Sequence, residues 1–192
     1  FFPVAQFRND VLDCLIEVAS LTPGDIPADY HPMLQKTFFM FVQALVSSIP
    51  DEVDLAQAHE QGSYDEQLFL SKITLFFSTF LQNHLKILEN SGAPELDAAV
   101  QKSLEYLLRL SLVNDEDMFK TCLEIWHPFT KDLHAAEAER ALHAQPLGGY
   151  SPSVAVPHAA MRAAIYDGVL HQLRDVIISK MAKPEEVIVV VD

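Results

Sequence analysis

Basic residues are scarce in this chain. Its 192 residues hold 13 Lys and Arg against 27 Asp and Glu, giving a formal net charge of −14 and a pI near 4.8. A surface this acidic repels nucleic acid and anionic membranes and favours basic partners. Long apolar runs are missing as well: none approaches the ~18 residues needed to span a bilayer. The chain starts at Phe1 with no charged region ahead of an apolar stretch and cleavage site. No signal peptide is visible, and the chain reads as a piece excised from something longer. Cysteine is limited to Cys14 and Cys122, both among apolar helical positions and without zinc-site spacing. Buried small hydrophobes in a reducing, intracellular setting are the expectation.

Patterns that carry chemistry are equally thin. Of eight histidines, His31 and His127 each precede a proline, at helix edges, while His134 and His143 lie in or beside an Ala-rich stretch. No pair has HExxH spacing, and no Cys stands in ligand spacing to a His. A Gly-rich phosphate loop and a nucleophile elbow are both absent; Gly148-Gly149 follows no strand signal and reads as a turn. Glu185 and Glu186 are adjacent in an extended segment, so they point to opposite faces, which is wrong for an acid/base pair. Neither an enzyme site nor a cofactor nor a metal is expected.

What is present is helix. From Tyr64 to Glu89 apolar residues fall at Phe69, Ile73, Phe76, Phe77, Phe80, Leu81, Leu85 and Leu88, spacings of three and four that place them on one face. Ser63 and Glu66 match a capping box. The helix would run roughly 39 Å, and its apolar face is wide enough to need neighbours on both sides. A stacked helical array is the physical expectation.

The rest of the chain follows in kind. Val4 to Leu21 is a first helix with Phe7, Val11, Cys14, Leu15 and Val18 on one face, ended by Thr22-Pro23-Gly24. A polar link leads to a second helix from Pro32 to about Ser48, apolar around most of its circumference and expected to be heavily buried. Residues 51–62 hold Asp51, Glu52, Asp54 and Glu60 with no Lys or Arg: a solvated link, or a docking patch for a basic partner. Asn90-Ser91-Gly92 is a turn, and Pro94 opens a helix with Leu96, Val100, Leu104, Leu107, Leu108 and Ser111 in register. Asn114 can cap the next helix, from Glu116 to Leu133, which carries Phe119, Cys122, Leu123, Trp126, Phe129 and Leu133. So short a link makes the two an antiparallel hairpin. Trp126, in phase with that stripe, is expected in the core rather than as an exposed anchor. Residues 138–157 shift to Ala, Gly, Pro and Ser and read as a linker. A last helix, 158–181, carries Met161, Ile165, Val169, Leu173, Val176 and Ile177, and Glu185–Asp192 (EEVIVVVD) is the one strand signal.

Helix starts near Pro32, Pro94 and His158 are spaced by 62 and 64 residues, a helix-pair period longer than a standard unit of ~40–47 residues. A helical solenoid fits best; an irregular bundle is the alternative.

The segments QFRNDVLDCLIEVA, DEQLFLSKITLFFSTFLQNHLKILE, DMFKTCLEIWH and SKMAKPEEVIVVVD resemble the exportin-1 family, nuclear export receptors of the importin-β (karyopherin) superfamily. The resemblance spans nearly the whole chain, lapses over 135–157, and is most specific from Lys180 to Val187. It implies an all-α ring-shaped solenoid of HEAT repeats. Residues 1–24 would be the inner helix of one repeat, 25–90 and 91–137 two outer/inner pairs, and 158–181 the outer helix of the next. Residues 182–192 would begin an acidic β-hairpin loop that contacts the GTPase Ran in its GTP form, which makes Glu185, Glu186 and Asp192 candidate Ran-contact residues. The implied function is export of cargo with leucine-rich signals together with Ran-GTP, by a non-enzymatic receptor that also meets nucleoporins and shuttles between nucleus and cytoplasm. Cargo would bind in repeats outside this chain, and so would the reactive cysteine of the family, a role that falls to neither Cys14 nor Cys122. The alternative is a structural helical-repeat scaffold with no GTPase partner.

Overall fold

A computed structural model describes residues 7–143 and 158–181. The expected strand, Glu185–Asp192, and the later part of the expected linker lie outside those residues. Among the described residues the fold is all helical: α1 Arg8–Ala19, α2 His31–Ser48, α3 Leu55–Gln61, α4 Tyr64–Glu89, α5 Pro94–Ser111, α6 Glu116–His143 and α7 His158–Met181. Two short 3-10 turns, Pro23–Asp25 and Ala28–Tyr30, fill the link before α2.

The helices form two layers. α1, α4 and α6 lie side by side in one; α2, α5 and α7 make the other. Hydrogen bonds fix the directions. Asn9 meets the Asp65 carbonyl near the start of α1 and α4, and Asn83 donates 2.9 Å to Ala19 near their ends, so these neighbours run parallel. The Tyr106 hydroxyl meets the Ile49 carbonyl, and Lys180 meets Val113, which ties the last turns of α2, α5 and α7 together. Across the layers the sense reverses: Gln35, near the start of α2, donates to Ile87, near the end of α4. Parallel within a layer and antiparallel between layers is the geometry of a solenoid of stacked helix pairs, here of HEAT type.

α4 behaves as its sequence dictates. The Glu66 carboxylate accepts from both the amide and the hydroxyl of Ser63 at 2.8 and 2.9 Å, completing the N-terminal cap. All eight apolar residues of its expected face are buried. Phe76, Phe77 and Phe80 meet Phe38 and Phe41 of α2, with ring centroids 4.7 Å apart for Phe38–Phe80 and 4.4 Å for Phe41–Phe76. The ring of Tyr106 extends the cluster into α5. The whole expected stripe of α5 is buried too. Gly92, at φ +64, supplies the left-handed residue that lets the chain turn between α4 and α5.

Elsewhere the structure corrects the expectations. α1 buries Leu12 and Ala19 and half-buries Leu15 and Ile16, leaving Phe7, Cys14 and Val18 exposed. Two overlapping stripes satisfied the spacing, and α4 accepts the one that also brings Arg8 over the Phe69 ring, 4.2 Å from its centroid. Cys14 is therefore not a buried hydrophobe. α2 leaves Met33 and Met40 at 63% and 59% exposure, so it packs on fewer sides than its composition suggested. The acidic link contains α3, capped by the Asp54 carboxylate on the amides of Ala56 and Gln57.

α6 departs furthest. Asp115, not Asn114, caps it, accepting from Met118 at 2.8 Å. Met118 and Ile125 are buried where Leu123 was expected, and Leu123 is exposed. Pro128 lies inside the helix rather than at an edge. Phe129 and Leu133 beyond it are buried, so packing carries the helix across the missing amide bond. The helix then runs on to His143, six residues into the stretch read as linker. In α7 Tyr166 is buried, while Ile165 is exposed.

Candidate partner-binding elements

Among the described residues no group of three or more His, Cys, Asp or Glu side chains could hold a metal ion. Three groups that could carry chemistry, His84, Cys122 and Trp126, are committed to structure. His84 is fully buried at the α1–α4 contact and donates from Nε2 to the Ala19 carbonyl at 3.2 Å. Burial, only partly offset by that bond, lowers its pKa below the ordinary 6.5. Cys122 is also fully buried, and burial pushes its thiol up to about 11, which keeps it protonated and unreactive. Trp126 is buried as expected, and its Nε1 donates to the Ser111 hydroxyl at 3.1 Å.

The acidic link divides between these uses. The Asp51 carboxylate takes both 2.7 Å bonds from Lys102, with Arg109 at 3.5 Å, and the Lys102 hydrogen bond holds its pKa down. Arg109 also donates to the Val53 carbonyl and stacks on Tyr106, so α5 grips the turn after α2. With Asp54 serving as a cap, only Glu52 and Glu60 of the four carboxylates are left for a basic partner. That weakens the docking-patch interpretation.

α7 is held differently. At its start Arg162 donates from Nε to Glu89, the last residue of α4, and from Nη1 to Asp132 of α6, both at 2.9 Å. The Tyr166 hydroxyl donates to the same Glu89 oxygen. Arg162 and Glu89 side chains are only 14% and 10% exposed, so this is a nearly buried, multiply bonded pair. Burial, with the Glu89 carboxylate alongside, pushes the Tyr166 phenol well above its usual value. At the other end the Lys180 ammonium donates 2.7 Å to the Val113 carbonyl, in the turn between α5 and α6, and sits 5.8 Å from the Phe119 ring. Residue 182 follows one residue after this helix. Glu185, Glu186 and Asp192 lie outside the described residues, and no geometry brings them together here. The cations that hold α7 were not singled out from sequence. Their signal was phase: positions 162, 166, 169, 173, 176 and 180 form one stripe, with an Arg and a Lys at its ends.

This architecture defines the class: a two-layer helical-repeat protein. Comparison with known sequences narrows it. Residues 98–134 match the chromosome region maintenance or exportin repeat, and residues 162–192 match the second CRM1/exportin repeat. The chain is 33% and 35% identical to the proteins EXPORTIN 1A and EXPORTIN 1B of Arabidopsis thaliana over its whole length. It is 32% identical to exportin-1 of Schizosaccharomyces pombe over 99% of its length. The chain belongs to the exportin-1 family. It spans 18% of the length of these relatives.

Proposed function

We propose that this chain is a scaffold segment of a nuclear export receptor, which carries cargo with leucine-rich signals out of the nucleus with Ran-GTP and returns through the pore past nucleoporins. The observation that carries this is family similarity along all of a regular two-layer array, including the residues after α7. The segment has two parts in the proposal. α1, α4 and α6 are the inner layer and α2, α5 and α7 the outer layer of a ring wall. Residues 182–192 begin the acidic loop, with Glu185, Glu186 and Asp192 facing basic groups of Ran, in keeping with a net charge of −14. The role is non-enzymatic: binding, with no chemical step in this chain.

The test is a pulldown with the full-length protein against Ran loaded with GTP or GDP. Retention of the GTP form alone is expected. Equal retention of both forms, or of neither, favours a helical scaffold with no GTPase partner.

A further inference from the structure

The last turn of α7 lacks apolar cover. Val176 is the last buried residue described in the helix; Ile177 packs half-buried against the core, and beyond it Ile178 and Met181 are 60% and 76% exposed. A helix end with so little packing frays readily. Yet Lys180, in phase with the buried stripe, turns inward rather than to solvent. Its ammonium bonds the Val113 carbonyl at 2.7 Å beside the Phe119 ring. Val113 is fully buried and belongs to the link joining α5 to α6, whose far side is fixed by the Asp115 cap. That link is short and held on both sides, by the Val113 amide on the Leu110 carbonyl and by the Asp115 cap, so it offers a fixed anchor for a helix end. Arg162 fixes the opposite end of α7 against Glu89 and Asp132. Apolar packing along the middle of α7 would permit small slips along its axis, whereas directional bonds at both ends do not.

We propose that Lys180 is a positioning residue: its bond to the Val113 carbonyl fixes the place and direction in which the chain leaves α7, and so sets where residues 182–192 begin. The functional consequence rests on the proposed reading of those residues as a Ran-contacting element. The anchor itself does not.

Two readouts on the full-length protein separate these. Hydrogen exchange follows the amides of 177–181, and titration follows binding of Ran loaded with a non-hydrolysable GTP analogue. Lys180→Met keeps the apolar stem and removes the donor; it should speed exchange at 177–181 by about tenfold while α4 and α5 exchange as in the wild type. Lys180→Arg should restore protection. The double variant Ser179→Lys with Lys180→Met returns a cation to the last turn but on the solvent side, so it should not. Ran-GTP affinity should fall several-fold in Lys180→Met and recover in Lys180→Arg. Wild-type exchange in Lys180→Met, or rescue by the Ser179→Lys double variant, would overturn the anchor; the latter would make Lys180 a helix-dipole charge only. A frayed end with unchanged Ran-GTP affinity would overturn the positioning role. Failure of the wild-type protein itself to bind Ran-GTP would sink the proposed function, and the exchange measurement would still decide the anchor.

Discussion

α4 and α7 are long helices of similar length, 26 and 24 residues, held by different physics. α4 has neighbours in both layers and buries twelve side chains, among them Phe69, Phe76, Phe77 and Phe80. α7 packs mainly on α5 and α6, touches α4 through the bonds to Glu89, and has four buried side chains among those described. Its two ends are instead pinned by Arg162 and Lys180. Apolar burial supplies most of the stabilisation of an array and is non-directional. Charged hydrogen bonds add less but set register. A helix inside the stack can rely on the first; one with fewer neighbours draws on the second.

The largest effect is expected from hollowing out the α4 side. Phe77→Ala removes a fully buried ring that meets α2 and α5 and should cost ~3–5 kcal/mol. Trp126→Ala should fall in the same range, since it also strips the Ser111 hydroxyl of its donor. Denaturant unfolding measures both. A loss under about 1 kcal/mol, the scale of surface changes, would mean that these rings do not carry the core.

The α7 side predicts a smaller and reversible effect. Glu89→Gln weakens two charge-assisted bonds, from Arg162 and Tyr166, and should cost about 2–3 kcal/mol. Replacing both partners, Glu89→Leu with Arg162→Met, should recover most of that, because a buried pair exchanged for apolar groups is often near neutral. Equal losses in the single and double variants would show that the network contributes through shape alone.

His84 adds a pH signature to the α4 side. Its folded pKa lies below 6.5, so below that pH the unfolded chain takes up the proton that the folded one refuses. This contribution is complete above about 6.5, declines as pH drops through that value, and levels once pH passes the folded pKa. His84→Gln should flatten that part of a stability-versus-pH curve. An unchanged slope would assign it to other groups. Smallest of all is Asp51→Asn at the exposed α5 grip, where solvent screens the Lys102 pair. Its unfolding midpoint should match the wild type within error, and a clear shift would promote that grip to a structural lock.

How much of this was legible in the sequence follows the same division. The stripes named for α4 and α5 were legible because they are unambiguous and enclosed by neighbours, but Leu70 and His84 of α4 and Tyr106 and Leu110 of α5 are also buried and stood outside them. α1 was not: two stripes overlapped by one helical step, and only contact with α4 selects Leu12 and Ala19 over Cys14 and Val18. In α6 the stripe through Phe129 and Leu133 was legible past Pro128, but the Ala-rich composition after residue 137 hid the run on to His143. The α7 pins were hidden because Arg162 and Lys180 look like solvent charges until their phase with Tyr166 and Leu173 is noticed. Glu185, Glu186 and Asp192 carry no signal of their own beyond the family resemblance, and their contact with Ran is a proposal.

That role is the central claim, and a binding titration of the full-length protein tests it directly. Glu185→Lys with Glu186→Lys is compared with wild type for Ran-GTP affinity at low and moderate salt. Exposed pairs contribute ~0.2–1 kcal/mol each, so a several-fold loss is predicted, larger at low salt because screening already removes part of the attraction at moderate salt. Unchanged affinity at both salt concentrations would contradict the account and remove Glu185 and Glu186 from the Ran-contact surface.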